Sequence, residues 1–441
     1  MAITKFIQHT ILMIVSDPVK AARRIAQKEN DDPFLLQTVP NGIWISGTAA
    51  AAKSMFSAGP ETFVSIPMVD EILLGPDSLL WLGGESHLCQ KRAMLPMFNV
   101  DHVKQLVDMM QSCVFSEINR WQPGQRINVS DAMRNITFNV IANTIFGVRD
   151  TKQIAFLRKQ TFVLIKNYTA GLFLISALRN KLWPSWRKFS AASEKLDRFL
   201  LEKIKQVRRT PQANSHDILS TLAAFTLSNG QQWTADELCA QLRTLLFAGY
   251  ETTATTLAWA IFYIYSRPEI QVKLLAELQS SANLSIEDIV KLPYLDAVCK
   301  EVLRLKPITL NVIRTLANPM EFANKRLPAG SNIGLSIDLL HTDPSVWNNP
   351  TDFDPDRFLT QKFSNYEYAP FGGGTKKCLG VHFAMYEIKI TLTMILLNCQ
   401  FSNITTKAPP NQLHAFVLRP KKPIFATIDS AKKGDNLFRL G

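Results

Sequence analysis

The residue with the most distinctive chemistry is Cys378, in the stretch PFGGGTKKCLG at positions 370–380. Three consecutive glycines and two lysines precede it, so its surroundings are flexible and positively charged. It is a nucleophile, a structural thiol or a metal ligand. No Ser/His/Asp-like arrangement points to a nucleophile, and a glycine-rich loop is a poor site for a core thiol. We favour a metal ligand, because glycines let a flat cofactor and the backbone approach each other closely.

The sequence after Cys378 predicts a helix that begins near the cysteine. Apolar residues recur every three or four positions, at Leu379, Phe383, Tyr386, Ile390 and Met394. A thiolate at a helix N-terminus is stabilised by the helix dipole and by free N–H groups, and Lys376 and Lys377 add positive charge. The pattern favours a deprotonated sulfur of tuned donor strength, which an axial haem ligand requires.

A second candidate lies in the middle of a long helical pattern. Thr234 followed by Glu237 is a capping-box signature, and the apolar pattern continues until Pro268. The centre reads AGYETTATT, where Gly249 costs a helix about 1 kcal/mol relative to alanine and the threonines have restricted side chains. Such a local inconsistency is typical of a functional site. The alternative is a packing kink where another element crosses closely.

A third candidate is a charged pair on the helix YLDAVCKEVLRLKP, which Pro307 ends. Glu301 and Arg304 are three residues apart and share one face, and apolar neighbours predict that the pair is partly buried. A buried pair needs further hydrogen bonds to be tolerated. Arg357, in FDPDRF, is the candidate third member.

These motifs, in their order along the chain, resemble those of the cytochrome P450 family. PFGGGTKKCLG resembles its haem-binding signature, whose fixed positions are occupied by Phe371, Gly374, Cys378 and Gly380. AGYETT resembles the oxygen-activating stretch of its central helix, Glu301-x-x-Arg304 its ExxR motif and FDPDRF its PERF region. GGESHLCQKR resembles the helix whose basic residue contacts a haem propionate. The resemblance extends roughly over residues 81–380 and through the following helix. Several weak motifs in the correct order make a strong signal.

The resemblance implies a mainly α protein with a small β portion, the cytochrome P450 fold, and a haem-thiolate monooxygenase. Cys378 would ligate the iron of haem b, and O2 would be the co-substrate. In the stretch that begins at Ala248, the region of Gly249 would open the helix to make room for oxygen. Glu251 and Thr252 would form an acid–alcohol proton relay. The residues assigned to haem binding are Cys378, Phe371, Gly374, Lys376, Gly380, His87, Lys91, Arg92 and Arg314.

Some positions depart from the family's pattern. Lys376 stands where Arg or His is usual, and a lysine reaches a propionate as a point charge without the planar fork of arginine. Lys91 stands where Arg is frequent, with Arg92 next to it, so either is a candidate for the propionate. Tyr250 is unusually bulky, and either faces away from the haem or narrows the pocket. The proline-rich entry before the first helix is missing.

The implied partners are a hydrophobic small molecule and a separate electron donor. The sequence has no GxGxxG opening a βαβ unit and no iron–sulfur cysteine run, so electrons from NAD(P)H would come through another protein. A basic surface suits an acidic ferredoxin or flavodoxin with its reductase, and the candidates for it are Lys376, Lys377 and either Lys91 or Arg92. Alternatively, these residues only hold propionates or contact solvent. Apolar pocket walls are predicted at 66–69, 162–183 and 308–313, and near Phe416, for a lipid or terpenoid.

Two other functions stay open. The same fold uses peroxide directly in peroxygenases and works without external electrons in isomerases, although the Glu251–Thr252 pair argues for use of dioxygen. The non-catalytic alternative is a haem-binding sensor or carrier.

Composition bounds the remaining predictions. The chain has 441 residues and a net charge of +12, which suggests an anionic membrane surface or an acidic partner as readily as simple solubility. Nucleic acid is disfavoured because no stretch interleaves basic and aromatic residues. The six cysteines form no CxxC pair and indicate a reducing compartment. The N-terminal FIQHTILMIV is too short to span a bilayer. We expect one domain over 1–441, a monomer, and a cytoplasmic location with at most peripheral membrane contact.

Overall fold

The structure, a computed structural model, describes residues 8–10, 12–13, 16–29, 31–39, 41–65, 71–147, 150–168, 172, 176–210, 217–227, 230–281 and 285–434. The predicted mainly α architecture with a small β portion is confirmed. The helices are α1 (Pro18–Glu29), α2 (Ala49–Ser57), α3 (Glu71–Leu74), α4 (Gly84–Met94), α5 (Val100–Gln105), α6 (Val107–Ile118), α7 (Val129–Phe146), α8 (Thr151–Asn167), α9 (Pro184–Arg209), α10 (Ile218–Ala224), α11 (Ala235–Tyr265), α12 (Pro268–Ser280), α13 (Ile286–Ile289), α14 (Pro293–Leu305), α15 (Ile337–Leu340), α16 (Arg357–Thr360) and α17 (Val381–Asn398).

The strands are β1 (Phe34–Leu36), β2 (Ile43–Ser46), β3 (Phe63–Val64), β4 (Arg126–Asn128), β5 (Asn311–Leu316), β6 (Met320–Phe322), β7 (Lys325–Leu327), β8 (Asn332–Ser336), β9 (Cys399–Ser402), β10 (Asn411–His414), β11 (Val417–Pro420) and β12 (Phe425–Ala431). They include the three stretches that the sequence predicts as strands: GIWISG contains β2, EFANKRLPAGSNIGLSI contains β7 and β8, and KPIFATI leads into β12.

Helix α11 is the central element of the fold. The predicted capping box is present, since the Thr234 hydroxyl accepts the N–H of Glu237 and the Glu237 carboxylate accepts the N–H of Thr234. The helix then continues for 31 residues, about 46 Å at the usual rise. Helices α6, α7, α14 and α17 share one large apolar core with it, so both faces of its middle are enclosed by protein.

The small sheets lie beside this helical core. The largest has five strands in the order β1-β2-β8-β5-β3. Strand β2 is parallel to β8, with Trp44 opposite Ile333, and β5 is antiparallel to β8. A three-stranded sheet joins β4, β12 and β9, and β10 and β11 form a hairpin. The five-stranded sheet positions Arg314, and the hairpin positions Phe416 and Arg419, so the β portion serves the site described below.

None of the helices that the structure describes is both long enough and apolar enough to cross a membrane. Part of the N-terminal FIQHTILMIV lies outside the described residues.

Candidate functional site

Cys378 lies in a tight loop between a 3-10 turn, Gly374–Lys376, and helix α17. Its N–H donates to the carbonyl of Phe371 at 3.0 Å. Helix α17 begins at Val381, three residues after the cysteine. Although protein surrounds Cys378, the residue keeps an exposed surface. A residue that protein surrounds but that still has accessible surface faces a space inside the protein. A ligand could reach the Cys378 thiol from that space.

The protein alone does not keep this sulfur deprotonated, which corrects the sequence prediction. Burial raises the pKa of the Cys378 thiol, and the Gly380 N–H, Lys91 and Lys377 only partly oppose that rise. A metal ion deprotonates a coordinating thiol outright. The loop therefore supplies limited electrostatic help, and coordination itself would remove the proton.

Two of the three glycines before Cys378 are required by packing against Phe56 of α2. A Cβ on Gly374 would lie 2.7 Å from the carbonyl oxygen of Phe56, and a Cβ on Gly373 would overlap the Phe56 ring. Gly374 also has a φ of +65°, which favours glycine. These two glycines let the loop pack on α2. At Gly380, in contrast, the nearest atom to an added Cβ is 3.9 Å away.

Four basic side chains from three parts of the chain form a cluster: His87 and Lys91 of α4, Arg314 of β5 and Lys376 of the cysteine loop. Burial together with Lys376, Lys91 and Arg314 lowers the pKa of His87 to about 3. Burial, Arg314 and Lys91 lower the pKa of Lys376 to about 7, and burial lowers the pKa of Arg314 to about 10. Apart from the Cys378 thiol, the neighbouring charges that shift these groups and Lys91 are all cationic.

Among the described residues no carboxylate neighbours these basic groups, and the charged members of the cluster lack a counter-ion, which buried charges need. A ligand with two carboxylates beside the Cys378 thiol would complete it, and haem b has two propionates. A further donor lies nearby in the sequence: the buried indole N–H of Trp81 has no hydrogen-bond partner among the described residues. The residues present therefore fit haem.

The structure distinguishes Lys91 from Arg92, the two residues of α4 that are candidates for binding a haem propionate. Lys91 Nζ donates to the carbonyls of Thr375 at 2.6 Å and Lys377 at 2.8 Å, so it holds the cysteine loop. Arg92 is exposed and forms a 3.6 Å ion pair with Glu85. Its side chain faces solvent, so the structure does not bring Arg92 together with His87, Arg314 and Lys376. Lys376 is partly buried in the basic cluster and Lys377 is exposed, which leaves Lys377 as the lysine available on the surface.

The middle of α11 has three partly accessible residues, Ala248, Gly249 and Thr252, which we call the accessible stripe. Between residues 238 and 264 every residue is buried except Ala248, Gly249 and Thr252. These three positions share one helix face. The Thr252 hydroxyl donates to the carbonyl of Ala248 at 2.5 Å. Ala248, Gly249 and Thr252, three of the predicted oxygen-handling residues, are thus the partly accessible positions of the helix centre, whereas the fourth, Glu251, is buried.

Gly249 does not open the helix, contrary to the sequence expectation. Helix α11 is continuous through it. A Cβ at this position would lie 2.6 Å from Cδ1 of Ile141. The alternative explanation, close crossing of another element, therefore accounts for the glycine, and the crossing element is α7.

Glu251 faces away from the stripe, towards two arginines. Its carboxylate accepts from Arg134 Nη2 of α7 at 3.1 Å and from Arg419 Nη1 of β11 at 3.3 Å. Burial raises the pKa of Glu251, but Arg134 and Arg419 outweigh that effect and lower it. Tyr250 is also turned towards α7, where its ring meets Phe138 edge-on at 5.5 Å, so it does not narrow the pocket.

The arginine partners of Glu251 are contacts that the sequence analysis did not predict. Arg134 is 117 residues away and Arg419 is 168 residues away, and neither belongs to a motif. Phe416 directly precedes the strand that carries Arg419, and its ring lies 4.7 Å from that of Phe247 of α11 and 6.1 Å from that of Trp81. The predicted pocket wall at 308–313 is partly accessible. The predicted wall at 66–69 and part of that at 162–183 lie outside the described residues.

Glu301, Arg304 and Arg357 form one buried network. The two carboxylate oxygens of Glu301 each accept a hydrogen bond from Arg304 at 2.7 Å, one from Nε and one from Nη2. Oε1 of Glu301 also accepts from Arg357 Nε at 3.1 Å. The remaining donors of Arg304 reach the carbonyls of His341 and Pro350 at 2.8 and 2.7 Å. The additional hydrogen bonds that a buried pair requires are therefore present.

One buried acid belongs to none of the predicted motifs. Glu387 of α17 is fully buried, and its carboxyl oxygens make no hydrogen bond of good geometry within the described chain. Burial raises its pKa well above the usual value, and Thr253 of α11 opposes that rise. Burial therefore disfavours the ionised form of this carboxyl group, which lies between α17 and α11. The sequence signal for it is a charged residue on the buried face of an apolar helix.

Comparisons with known proteins agree with this geometry. A family model described as Cytochrome P450 matches residues 14–427. A putative cytochrome P450 135B1 of Mycobacterium tuberculosis is 33% identical over 85% of this chain and 79% of its own length. A putative cytochrome P450 120 of Synechocystis is 30% identical over 81% of this chain and 80% of its own length. The solved structure of retinoic-acid-bound cyanobacterial CYP120A1 has a TM-score of 0.84 and 25% identity, and covers 96% of both chains.

Proposed function

Because the chain belongs to the cytochrome P450 family of haem-thiolate monooxygenases, we propose that it inserts one oxygen atom from O2 into a hydrophobic small molecule, with electrons from a separate protein. The observation that carries the proposal is the accessible interior thiol of Cys378 beside a cluster of basic side chains that no carboxylate of the described residues neighbours. Cys378 would hold the iron, and His87, Arg314 and Lys376 would hold the two propionates. When bound, the haem supplies the iron chemistry that activates dioxygen.

Thr252 is the residue that brings a proton to the internal space. Its hydroxyl is on the accessible stripe and donates to the Ala248 carbonyl at 2.5 Å, so it must rotate before its proton is available to a ligand. A hydroxyl both donates and accepts, which lets Thr252 pass on one proton while it receives another.

Glu251 is the acidic member of this relay. Two arginines keep it ionised, so it acts as the proton acceptor that faces the protein side of the helix. Glu251 and Thr252 follow each other in the chain but face different directions. Transfer between them therefore needs water or a change of side-chain rotamer.

The substrate is proposed to be an apolar molecule of the lipid or terpenoid kind. Aromatic rings of Phe247 and Phe416 pack together at 4.7 Å next to the accessible stripe, and such surfaces recognise apolar groups. A related cyanobacterial protein is described as retinoic acid bound, which supports an extended isoprenoid-like shape.

The electron donor is proposed to be an acidic ferredoxin or flavodoxin with its NAD(P)H-dependent reductase. Lys377 is exposed one residue before Cys378, and a net charge of +12 favours acidic partners. The presence of both Glu251 and Thr252 supports dioxygen over peroxide as the oxidant.

The test combines binding and turnover in the haem-loaded protein. We expect apolar compounds from a lipid and terpenoid library to change the haem spin state, and bound compounds to be oxidised with ferredoxin, reductase and NAD(P)H. Turnover with peroxide alone would assign a peroxygenase instead. Absence of both a spectral change and product across the library would favour a sensor or carrier.

A further inference from the structure

A small cavity lies where the helices α3, α8, α9 and α11 meet. Its volume is about 20 Å³, which is room for one water-sized group. Thr161 and Arg243 are the polar residues that line it, and the remaining walls are Phe247 and buried leucine and isoleucine side chains of all four helices. The cavity is therefore apolar except at two points.

The hydroxyl of Thr161, on α8, is one of these points. Thr161 is 4% exposed, and its hydroxyl has no hydrogen-bond partner among the described residues. A buried threonine in a helix commonly donates to the carbonyl four residues earlier, and Thr144, Thr244 and Thr252 do so here at 2.9, 2.7 and 2.5 Å. A buried hydroxyl without a hydrogen bond is unfavourable. The Thr161 hydroxyl is thus available to a group that enters the cavity.

Arg243 of α11, the second polar point, has its donors occupied by the protein. Nη1 donates to Asp197 Oδ1 at 2.8 Å and to Ser193 Oγ at 3.0 Å, and Nε donates to the Leu73 carbonyl at 3.1 Å. Nη2 donates to the carbonyls of Leu73 and Ile72. The Asp197 carboxylate also balances the charge of the guanidinium. The cavity therefore offers one neutral hydroxyl, which suits an uncharged oxygen better than a carboxylate.

Phe247 connects the cavity with the apolar surface beside the proposed reaction site. It lines the cavity, directly precedes the accessible stripe in the chain, and contacts the ring of Phe416 at 4.7 Å. Along α11, Arg243 and Thr252 are nine residues apart, which is about 14 Å at the usual rise. A ligand that reaches from the cavity to Thr252 is consequently extended, and a sesquiterpenoid has a suitable length.

We propose that the substrate is an extended isoprenoid alcohol or ketone, whose uncharged oxygen is bound by the Thr161 hydroxyl in this cavity. The inference rests on the proposed function, because it narrows the lipid or terpenoid class at the same site. A hydroxyl both donates and accepts, so Thr161 pairs with either group. A site built to hydrogen-bond a ligand oxygen discriminates against the analogue that lacks it, because the protein group is then left unpaired. The opposite end of the molecule would lie beside Thr252.

The test is titration of the haem-loaded protein with three molecules of one carbon skeleton, namely farnesol, β-farnesene and farnesoic acid, followed through the haem spin state. We expect farnesol to bind at least about fivefold more tightly than β-farnesene, the gain from one neutral hydrogen bond, and more tightly than farnesoic acid. Thr161→Val keeps the shape of the side chain without its hydroxyl, so the preference for farnesol should disappear. Thr161→Ser should retain that preference.

Thr144→Val is the matched control. It removes a buried hydroxyl of α7 that donates to the Val140 carbonyl, and it should keep the preference for farnesol. Thr161→Val breaks no hydrogen bond within the described chain, so its circular dichroism and thermal unfolding should match those of the wild type.

Two results would overturn the proposal. An undiminished preference for farnesol in Thr161→Val would show that the oxygen binds elsewhere, and tighter binding of farnesoic acid than of farnesol would assign the cavity to an anion. A response to other lipids or terpenoids but to none of these three molecules would also reject the inference and leave the proposed function standing. Absence of any spectral response across the whole library would instead reject the proposed function.

Discussion

Oε1 of Glu251 accepts a hydrogen bond from Nη1 of Arg419 at 3.3 Å, across 168 residues of the chain. The contact joins the central helix to the β10–β11 hairpin, whose connecting turn also carries Phe416. The ionisation of the relay acid therefore depends on an element that borders the apolar part of the site.

Arg419→Gln should move the acidic limb of the pH profile of turnover to higher pH. Removing one of the two arginines raises the pKa of Glu251, because less positive charge then opposes the effect of burial. The carboxylate is consequently lost at a higher pH as the medium is acidified. The profile is measured as NAD(P)H-driven product formation, with Lys421→Gln as the control. An identical acidic limb in both variants would show that Glu251 does not limit turnover.

Thr252→Ala should leave haem binding intact but divert reducing equivalents to peroxide. The substitution removes the accessible hydroxyl of the central stripe. Thr256→Ala is the matched control, since Thr256 makes the same kind of bond to the carbonyl four residues earlier but is buried. Product and peroxide are measured per NAD(P)H consumed. Full coupling in Thr252→Ala would remove Thr252 from the relay.

Cys378→Ser should lose the thiolate-type spectrum of the reduced carbon monoxide complex and keep the helical circular dichroism signal. Serine cannot replace the sulfur donor, and the exposed thiol contributes little to packing. Cys89→Ser, at a partly buried cysteine of α4, should keep that spectrum. An unchanged spectrum in Cys378→Ser would place the ligand elsewhere.

Glu301→Gln should lower the free energy of unfolding by about 3–5 kcal/mol, because it leaves two buried guanidinium groups without their charge partner. Lys300→Gln breaks the half-exposed pair with Asp296 and should cost no more than about 1 kcal/mol. Urea denaturation compares the two. Equal losses would show that the buried network contributes no more than a surface pair.

Glu387→Gln should remove a loss of stability that develops as the pH rises. Below the unfolded pKa of 4.5 the carboxyl is protonated in both states. Above it the unfolded chain ionises, whereas the folded chain, whose Glu387 pKa is raised, ionises only at higher pH, so between the two pKa values the free energy of unfolding falls by up to about 1.4 kcal/mol per pH unit. The difference between variant and wild type should therefore grow with pH in urea denaturation. Glu269→Gln, exposed on α12, should show no such trend.

Local patterns predicted the elements of this protein well, because capping, apolar periodicity and turn chemistry act over a few residues. Thr234 and Glu237 start α11 as expected, and β2, β8 and β12 lie in the predicted stretches. The order of the motifs also identified the thiol and the charged triad.

The features that local patterns did not predict depended on contacts between distant segments. Gly249 is explained by Ile141 and Gly374 by Phe56, and no local pattern indicates either contact. Arg134 and Arg419 were missed for the same reason, and the burial of Glu387 arises from helix packing. The choice between Lys91 and Arg92 required the direction of each side chain around α4, which adjacent positions in a sequence do not determine.

The cluster of His87, Lys91, Arg314 and Lys376 has a consequence for the amount of this protein that a cell maintains. The charged members of the cluster repel one another, and two carboxylates would offset that repulsion, so we expect the chain without haem to be less stable than the complete protein, because ligand binding shifts the folding equilibrium by mass action. Newly made chains that wait for haem would unfold more often and meet proteases more often. We expect the cellular amount of this protein to follow the supply of haem as well as the rate of its synthesis.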